Sequence, residues 1–169
     1  MNNKTNWTYV SSLTFPEVFT GASHNDKGLR IADLNNDGLP DLIQGWDGTR
    51  RAWLFNGSAW NLSSIWAPPI DFANSAGADF GVQLADINGD GKVDLIRART
   101  DFSKVTYLNT GNGWKDASFQ WIAPAYFVDS SGNDYGARLI DVNGDGLVDF
   151  VQSANLGTPT KNAWLNNGS

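Results

Sequence analysis

Three near-copies of one nine-residue pattern concentrate the oxygen-bearing side chains of this 169-residue chain: DLNNDGLPD at Asp33–Asp41, DINGDGKVD at Asp86–Asp94 and DVNGDGLVD at Asp141–Asp149. Each reads D-x-N-x-D-G-x-x-D, which places carboxylate or amide oxygens at positions 1, 3, 5 and 9 of a tight loop. Calcium takes roughly six to eight oxygen ligands in a forgiving geometry, and this donor set suits it. The glycine at position 6 (Gly38, Gly91, Gly146) permits the positive φ that turns the chain back over an ion. A backbone carbonyl at position 7 completes the expected protein ligands. They are Asp33, Asn35, Asp37, Leu39 and Asp41; Asp86, Asn88, Asp90, Lys92 and Asp94; and Asp141, Asn143, Asp145, Leu147 and Asp149. The expectation is one Ca2+ per loop. The alternative is a set of Asx-turn hairpins that need no ion, since Asp and Asn favour such turns unaided. Carboxylates repeated at fixed offsets in three loops argue for the ion.

Charge agrees. The chain has 18 acidic and 12 basic residues and a net charge of −6, and nine of the acids lie in the three loops. Three divalent ions would bring the formal charge to zero, and without them each loop holds three carboxylates in mutual repulsion. An acidic chain with no basic run argues against nucleic acid and anionic membrane as partners.

A helix–loop–helix calcium site needs Glu at position 12, but Gln44, Arg97 and Gln152 stand there. The flanks alternate with period two, as GLRIAD, GVQLAD and GARLID before the loops and DLIQ, DLIR and DFVQ after them. That is strand patterning, so the loops are expected to be β-hairpin connections.

The repeat extends beyond the loops, whose starts are 53 and 55 residues apart. Seven residues ahead of each loop stands an Asp in D-x-G: Asp26-Lys27-Gly28, Asp79-Phe80-Gly81 and Asp134-Tyr135-Gly136. An aromatic strand with a terminal turn follows (Ala52–Gly57, Thr106–Gly111, Ala163–Gly168). A Trp then opens a further strand running to a Pro, at Trp60–Pro68, Trp114–Pro124 and, at the N-terminus, Trp7–Pro16. Each repeat thus supplies about four short strands and no helix of useful length. Four-stranded units at this period are the blades of a β-propeller. The expected fold is all-β, one unit over residues 1–169 with repeats near 6–60, 61–114 and 115–169.

On its D-x-N-x-D-G-x-x-D loops, Phe80-Gly81 and Tyr135-Gly136, the chain resembles the integrin-like FG-GAP/VCBS repeat proteins over essentially its whole length. The NGDG loops together with Tyr107–Trp114 (YLNTGNGW) are similar to propeller regions of bacterial Rhs and Tc-toxin proteins and to fungal integrin-like lectins. The first repeat departs from the pattern: Lys27 replaces the aromatic, Asn36 replaces Gly, and Pro40 precedes the last ligand.

Propellers usually close with about four to eight blades, and a three-blade arc leaves strand edges and apolar faces bare. The strand phase suggests a remedy, with an outer strand at Trp7–Phe15 and a last repeat that stops short of one. Either the chain is a piece of a longer propeller or copies join head to tail, a dimer of six blades being favoured.

Catalysis finds little support. The single His24 sits in a polar turn, and there is no Cys, G-x-S-x-G, H-E-x-x-H or phosphate loop. A non-catalytic binding module for carbohydrate or a protein surface is the expectation; the alternative is a structural fragment of a larger toxin-like or surface polypeptide. Binding candidates are Trp46, which has no counterpart in the other repeats, the equivalent pair Trp60 and Trp114, and the inner-strand residues Arg30, Gln83 and Arg138. The bland reading of the repeated aromatics is packing between blades. Calcium sites and the absence of Cys suit an extracellular or cell-surface setting, bacterial by the resemblance. MNNKTNW lacks the apolar stretch of a signal peptide, and no run reaches membrane-spanning length.

Overall fold

The computed structural model describes residues 9–168, and among them every regular element is a β-strand. Strands β1 (Leu29–Ala32), β2 (Asp41–Trp46), β3 (Thr49–Phe55) and β4 (Trp60–Leu62) form one antiparallel sheet in sequential order. A second follows with β5 (Val82–Ala85), β6 (Asp94–Arg97), β7 (Val105–Asn109) and β8 (Trp114–Asp116). The third has three strands, β9 (Ala137–Ile140), β10 (Asp149–Asn155) and β11 (Pro159–Trp164). The D-x-N-x-D-G-x-x-D loop joins the first two strands of every sheet, and its ninth residue pairs back across it: Asp41 with Ala32, Asp94 with Ala85, Asp149 with Ile140.

These meanders are propeller-like blades because both faces of their central strands are covered. In β2 the neighbouring Leu42 and Ile43 point to opposite faces and are both fully buried. Leu42 packs with Leu29 and Trp53 under Trp60, while Ile43 joins Trp66, Phe72, Val82 and Leu95 in a core between the first two sheets. Ile96, Phe127, Ala137 and Phe150 build the matching core between the second and third.

The D-x-G motif sets the approach to each first strand. Asp26, Asp79 and Asp134 accept the amide of the glycine two residues on at 2.8, 2.7 and 2.7 Å. Gly28, Gly81 and Gly136 hold φ of 61°, 66° and 71°. A Cβ on Gly28 would strike the Gly45 carbonyl, and one on Gly136 the Ser153 carbonyl, so close backbone approach requires glycine. Blades are then tied in series: the Phe72 amide donates to the Gly45 carbonyl at 2.6 Å and Phe127 to Ala98 at 2.9 Å.

Two expectations are corrected. The fourth strands, expected to reach Pro68 and Pro124, last three residues each. After Leu62 and Asp116 the chain turns, with Ser63 donating to the Ala52 carbonyl and Ala117 to that of Thr106. The turn carries Trp66 inward until it is 4% exposed, and core burial overrides continued pairing. The N-terminal strand expected at Trp7–Phe15 begins outside the described residues, and its described part, Tyr9–Phe15, forms no strand. Side chains hold this segment instead, with Phe15 stacked on Trp60 and Glu17 paired with Arg51 at 3.2 Å.

His24 is exposed and left-handed at φ 61°, where the equivalent turns of the other repeats carry Gly77 and Gly132 at 79° and 83°. His24→Gly removes a strained side-chain backbone and should stabilise the fold by about 0.5–1 kcal/mol after the entropy cost of glycine. Thermal unfolding should show a higher Tm; a lower one contradicts this account of the turn.

Candidate metal centres and inner-strand cleft

The three loops share one internal wiring. In the first, Asp33 accepts the amides of Asp37 and Gly38 at 3.1 and 2.8 Å, and Asn35 Oδ1 accepts Asp37 at 3.1 Å. Asp37 Oδ1 accepts the Leu39 amide at 2.8 Å. The others repeat it, with Gly91 to Asp86 and Lys92 to Asp90 at 2.8 and 3.0 Å, and Gly146 to Asp141 and Leu147 to Asp145 both at 2.9 Å. Asn88 and Asn143 take the position-3 role, accepting the amides of Asp90 and Asp145 at 3.1 and 2.9 Å. A carboxylate oxygen that accepts one amide retains a second lone pair. Two carboxylates, an amide oxygen and the carbonyl of Leu39, Lys92 or Leu147 form an oxygen-only set that fits a hard divalent cation.

The ninth residue behaves differently. Asp41, Asp94 and Asp149 are buried, and each spends both carboxylate oxygens on backbone amides. Asp41 accepts Leu34 at 2.9 Å and Phe55 at 2.8 Å; Asp94 accepts Ile87 at 2.9 Å and Asn109 at 2.7 Å; Asp149 accepts Val142 at 3.0 Å and Asn166 at 2.8 Å. It therefore staples its loop to the end of the third strand. Each of these oxygens, accepting one amide, retains a lone pair toward the loop. Burial pushes the Asp94 carboxyl up to about 6 and raises Asp41 too, against the amides that stabilise the anion; the loop carboxylates Asp90 and Asp86, and Asp37 and Asp33, add to the rise.

Position 2 links blades. The Asn109 amide donates to the Leu34 carbonyl of the preceding loop at 2.8 Å, and Asn166 to that of Ile87 at 2.8 Å. Nothing in the one-dimensional pattern marks these asparagines, although their recurrence at the end of the third strand is visible once repeats are aligned.

The inner strands bring two of the binding candidates together. Arg30 and Gln83 line a cleft of about 280 Å3 with Asp79, Phe72 and Val82. Arg30 grips Asp26 through two nitrogens at 3.0 and 2.7 Å. Burial pushes Asp26 upward, but the hydrogen bond and charge of Arg30 outweigh it and hold the carboxyl below its usual value. Asp79 has Gln83 in place of that arginine; burial raises it despite the Gly81 amide and the charge of Arg30. Arg138 lies apart, in an exposed pair with Asp134 at 2.6 Å.

The tryptophans are less open. Trp60 lies against Phe55 and Phe15 at ring separations of 4.6 and 5.5 Å, and Trp114 packs edge-on to Trp66 while donating to its carbonyl at 3.2 Å. Trp46 donates to the Asn74 carbonyl at 3.0 Å, and the Lys27 ammonium covers its ring at 3.2 Å from the centroid. Its equivalent in the second blade is Arg99, whose guanidinium lies 4.7 Å from the centroid of Phe80, the equivalent of Lys27. The same cation–π joint is thus built twice with its members exchanged, which explains both the departure at Lys27 and the unmatched Trp46.

Residues 33–97 and 86–151 both match the FG-GAP-like repeat. Cartilage acidic protein 1 of Mus musculus is 23% identical over 164 residues, covering 90% of this chain and 24% of that protein. Among solved structures, that describing specific recognition of non-reducing terminal N-acetylglucosamine by an Agrocybe aegerita lectin superposes with a TM-score of 0.54 at 20% identity. That match covers 85% of this chain and 36% of the lectin chain. The Photorhabdus luminescens Tc holotoxin pore gives the same TM-score and identity over 88% of this chain and 7% of that one. The chain thus spans about a quarter of the curated relative it matches, and the structural likenesses support the propeller-like fold.

The exchanged joint is testable as a thermodynamic cycle. Trp46→Arg alone sets two cations together and should cost about 1–3 kcal/mol, while adding Lys27→Phe should restore at least half of that loss. Urea unfolding measures it, and strictly additive losses contradict the coupling.

Proposed function

This chain belongs to the FG-GAP-like repeat family, and on that premise we propose a non-catalytic recognition module, a propeller segment braced by calcium that presents a surface to carbohydrate or protein. The observation that carries the recognition reading is the cleft between β1 and β5. There Arg30, Asp79 and Gln83 offer a cation, a carboxylate and an amide beside apolar Phe72 and Val82, the mixture with which a concave site orients a polar ligand. Non-reducing terminal N-acetylglucosamine, which the Agrocybe aegerita lectin recognises, is the first sugar to try.

Calcium is the brace in this reading, one ion in each loop on positions 1, 3, 5, 7 and 9. When bound, it supplies the positive charge that the loop carboxylates lack, and so adds its binding free energy to folding. The extracellular or cell-surface setting follows as part of the proposal, since free calcium is abundant there.

A scaffold role is the second reading, favoured by the commitment of Trp60 and Trp114 to packing. A glycan array separates the two. Micromolar binding that Arg30→Ala abolishes supports recognition, whereas silence across a broad array favours the scaffold or a protein ligand.

The brace has its own test. Calorimetric titration should find three calcium ions per chain, and EGTA should lower Tm. Asp90→Ala should lose one ion and be destabilised in calcium, yet lie within about 1 kcal/mol of the parent in EGTA. Asp94→Ala orphans two buried amides and should cost about 2–5 kcal/mol in both conditions. Equal melting curves with calcium and with EGTA would sink the brace.

A further inference from the structure

We propose that the cleft between β1 and β5 recognises a guanidinium group carried by its ligand, which binds Asp79 as an arginine of the chain itself binds the equivalent carboxylate in the other two blades. The proposal rests on the reading of this cleft as a recognition site and names the chemistry that the site selects. The two sheets that form it each have four strands among the described residues, so the cleft lies inside the arc and not at an end of it.

The repeats supply the template. In the first, Arg30 reaches both oxygens of Asp26 at 3.0 and 2.7 Å and donates to the Leu29 carbonyl at 3.0 Å. In the third, Arg138 does the same with Asp134 at 3.0 and 2.6 Å and with the Ala137 carbonyl at 2.6 Å. A carboxylate held by a planar fork of donors is among the strongest charged hydrogen-bond pairs. The second blade keeps the acceptors and lacks the fork. Asp79 stands at the place of Asp26 and Asp134, Val82 at that of Leu29 and Ala137, and Gln83 at that of the arginines. Asp79 accepts the Gly81 amide at 2.7 Å, as its counterparts accept theirs. Among the described residues neither a cation nor the Gln83 amide pairs with it.

Charge gives the cleft its sign. Two carboxylates, Asp26 and Asp79, meet one guanidinium there, and Arg30 is spent on the first. The other cation that acts on Asp79, Arg99, is spent on Asp101 at 2.8 Å. A half-buried carboxylate short of one positive charge attracts a cation and repels an anion. Size and lining narrow the class. The cleft holds about 280 Å3, at the small end of ligand sites, which is room for one side chain rather than an extended ligand. Phe72, Val82 and Leu84 line it beside the carboxylate, and an arginine packs its aliphatic stem on such a surface while its head stays charged. An ammonium matches the charge but presents no fork.

The test titrates the full chain, with calcium present, with N-acetyl-L-arginine amide and follows backbone amide shifts by NMR. The shifts should centre on Gly81, Val82 and Gln83. N-acetyl-L-citrulline amide, of the same shape without the charge, should bind roughly tenfold more weakly. Asp79→Asn, which keeps an oxygen for the Gly81 amide, should abolish binding. Gln83→Arg supplies the fork from within, as the first and third blades do, and should abolish binding too, with an unchanged far-UV spectrum and no fall in Tm. Agmatine set against the blocked tripeptide Gly-Arg-Gly tells a free guanidine from an arginine of a protein by which binds more tightly. Equal affinity for the arginine and citrulline amides overturns the proposal, as does binding that survives Gln83→Arg. If the arginine amide leaves the cleft unshifted while N-acetylglucosamine shifts it, the recognition reading stands and the guanidinium falls. No shift from either removes the cleft as the site in both.

Discussion

A buried carboxylate at the ninth loop position holds each blade together, and most other contacts presuppose it. Its two oxygens take one amide from the loop and one from the end of the third strand, so the loop and three strands become one unit. Because the second loop residue is fixed this way, its carbonyl faces the next blade, where Asn109 or Asn166 meets it. Local turn chemistry and the stacking of blades therefore share an anchor. At Asp41 and Asp94 the anchor also stores charge, since a buried carboxylate beside two more carboxylates is costly as an anion. A cation bound at the loop, as proposed, would relieve that cost without disturbing either amide.

The second constraint is coverage. A central strand apolar on both faces must have a blade on each side. Inside the chain the connecting segments meet this need, each carrying a large ring inward as Trp66 does. At the first blade residues 15–19 do so in part, with Phe15 on Trp60.

The loops, the D-x-G turns and the four-strand period were legible because they are local: spacing and turn residues state them within about ten positions. What spacing could not state was direction. The pattern offers Asp41, Asp94 and Asp149 as ligands, and only the fold adds that each also accepts an amide fourteen to seventeen residues away. The Trp-to-Pro segments read as long strands because their patterning is strand-like, yet burial of Trp66 ended pairing after three residues. Arg99 belongs to no motif, and the Lys27 that covers Trp46 lies nineteen residues from it in the chain.

Comparison of the three repeats with one another separates contacts by what they hold. Where a carboxylate accepts backbone amides, the residue is the same three times: Asp at loop positions 1, 5 and 9, and Asp before each D-x-G glycine. No other side chain presents two acceptors at that reach. Where two side chains satisfy each other, the pair is free to vary as a pair. Lys27 with Trp46 becomes Phe80 with Arg99, and an ion pair at Arg30 gives way to Gln83 beside a carboxylate raised by burial. The invariant set builds the blade, and the variable set gives each blade its own surface. The cleft at Arg30, Asp79 and Gln83 lies where an arginine blade meets a glutamine blade, so its mixed chemistry arises from a difference between repeats that a perfectly symmetric propeller would lack.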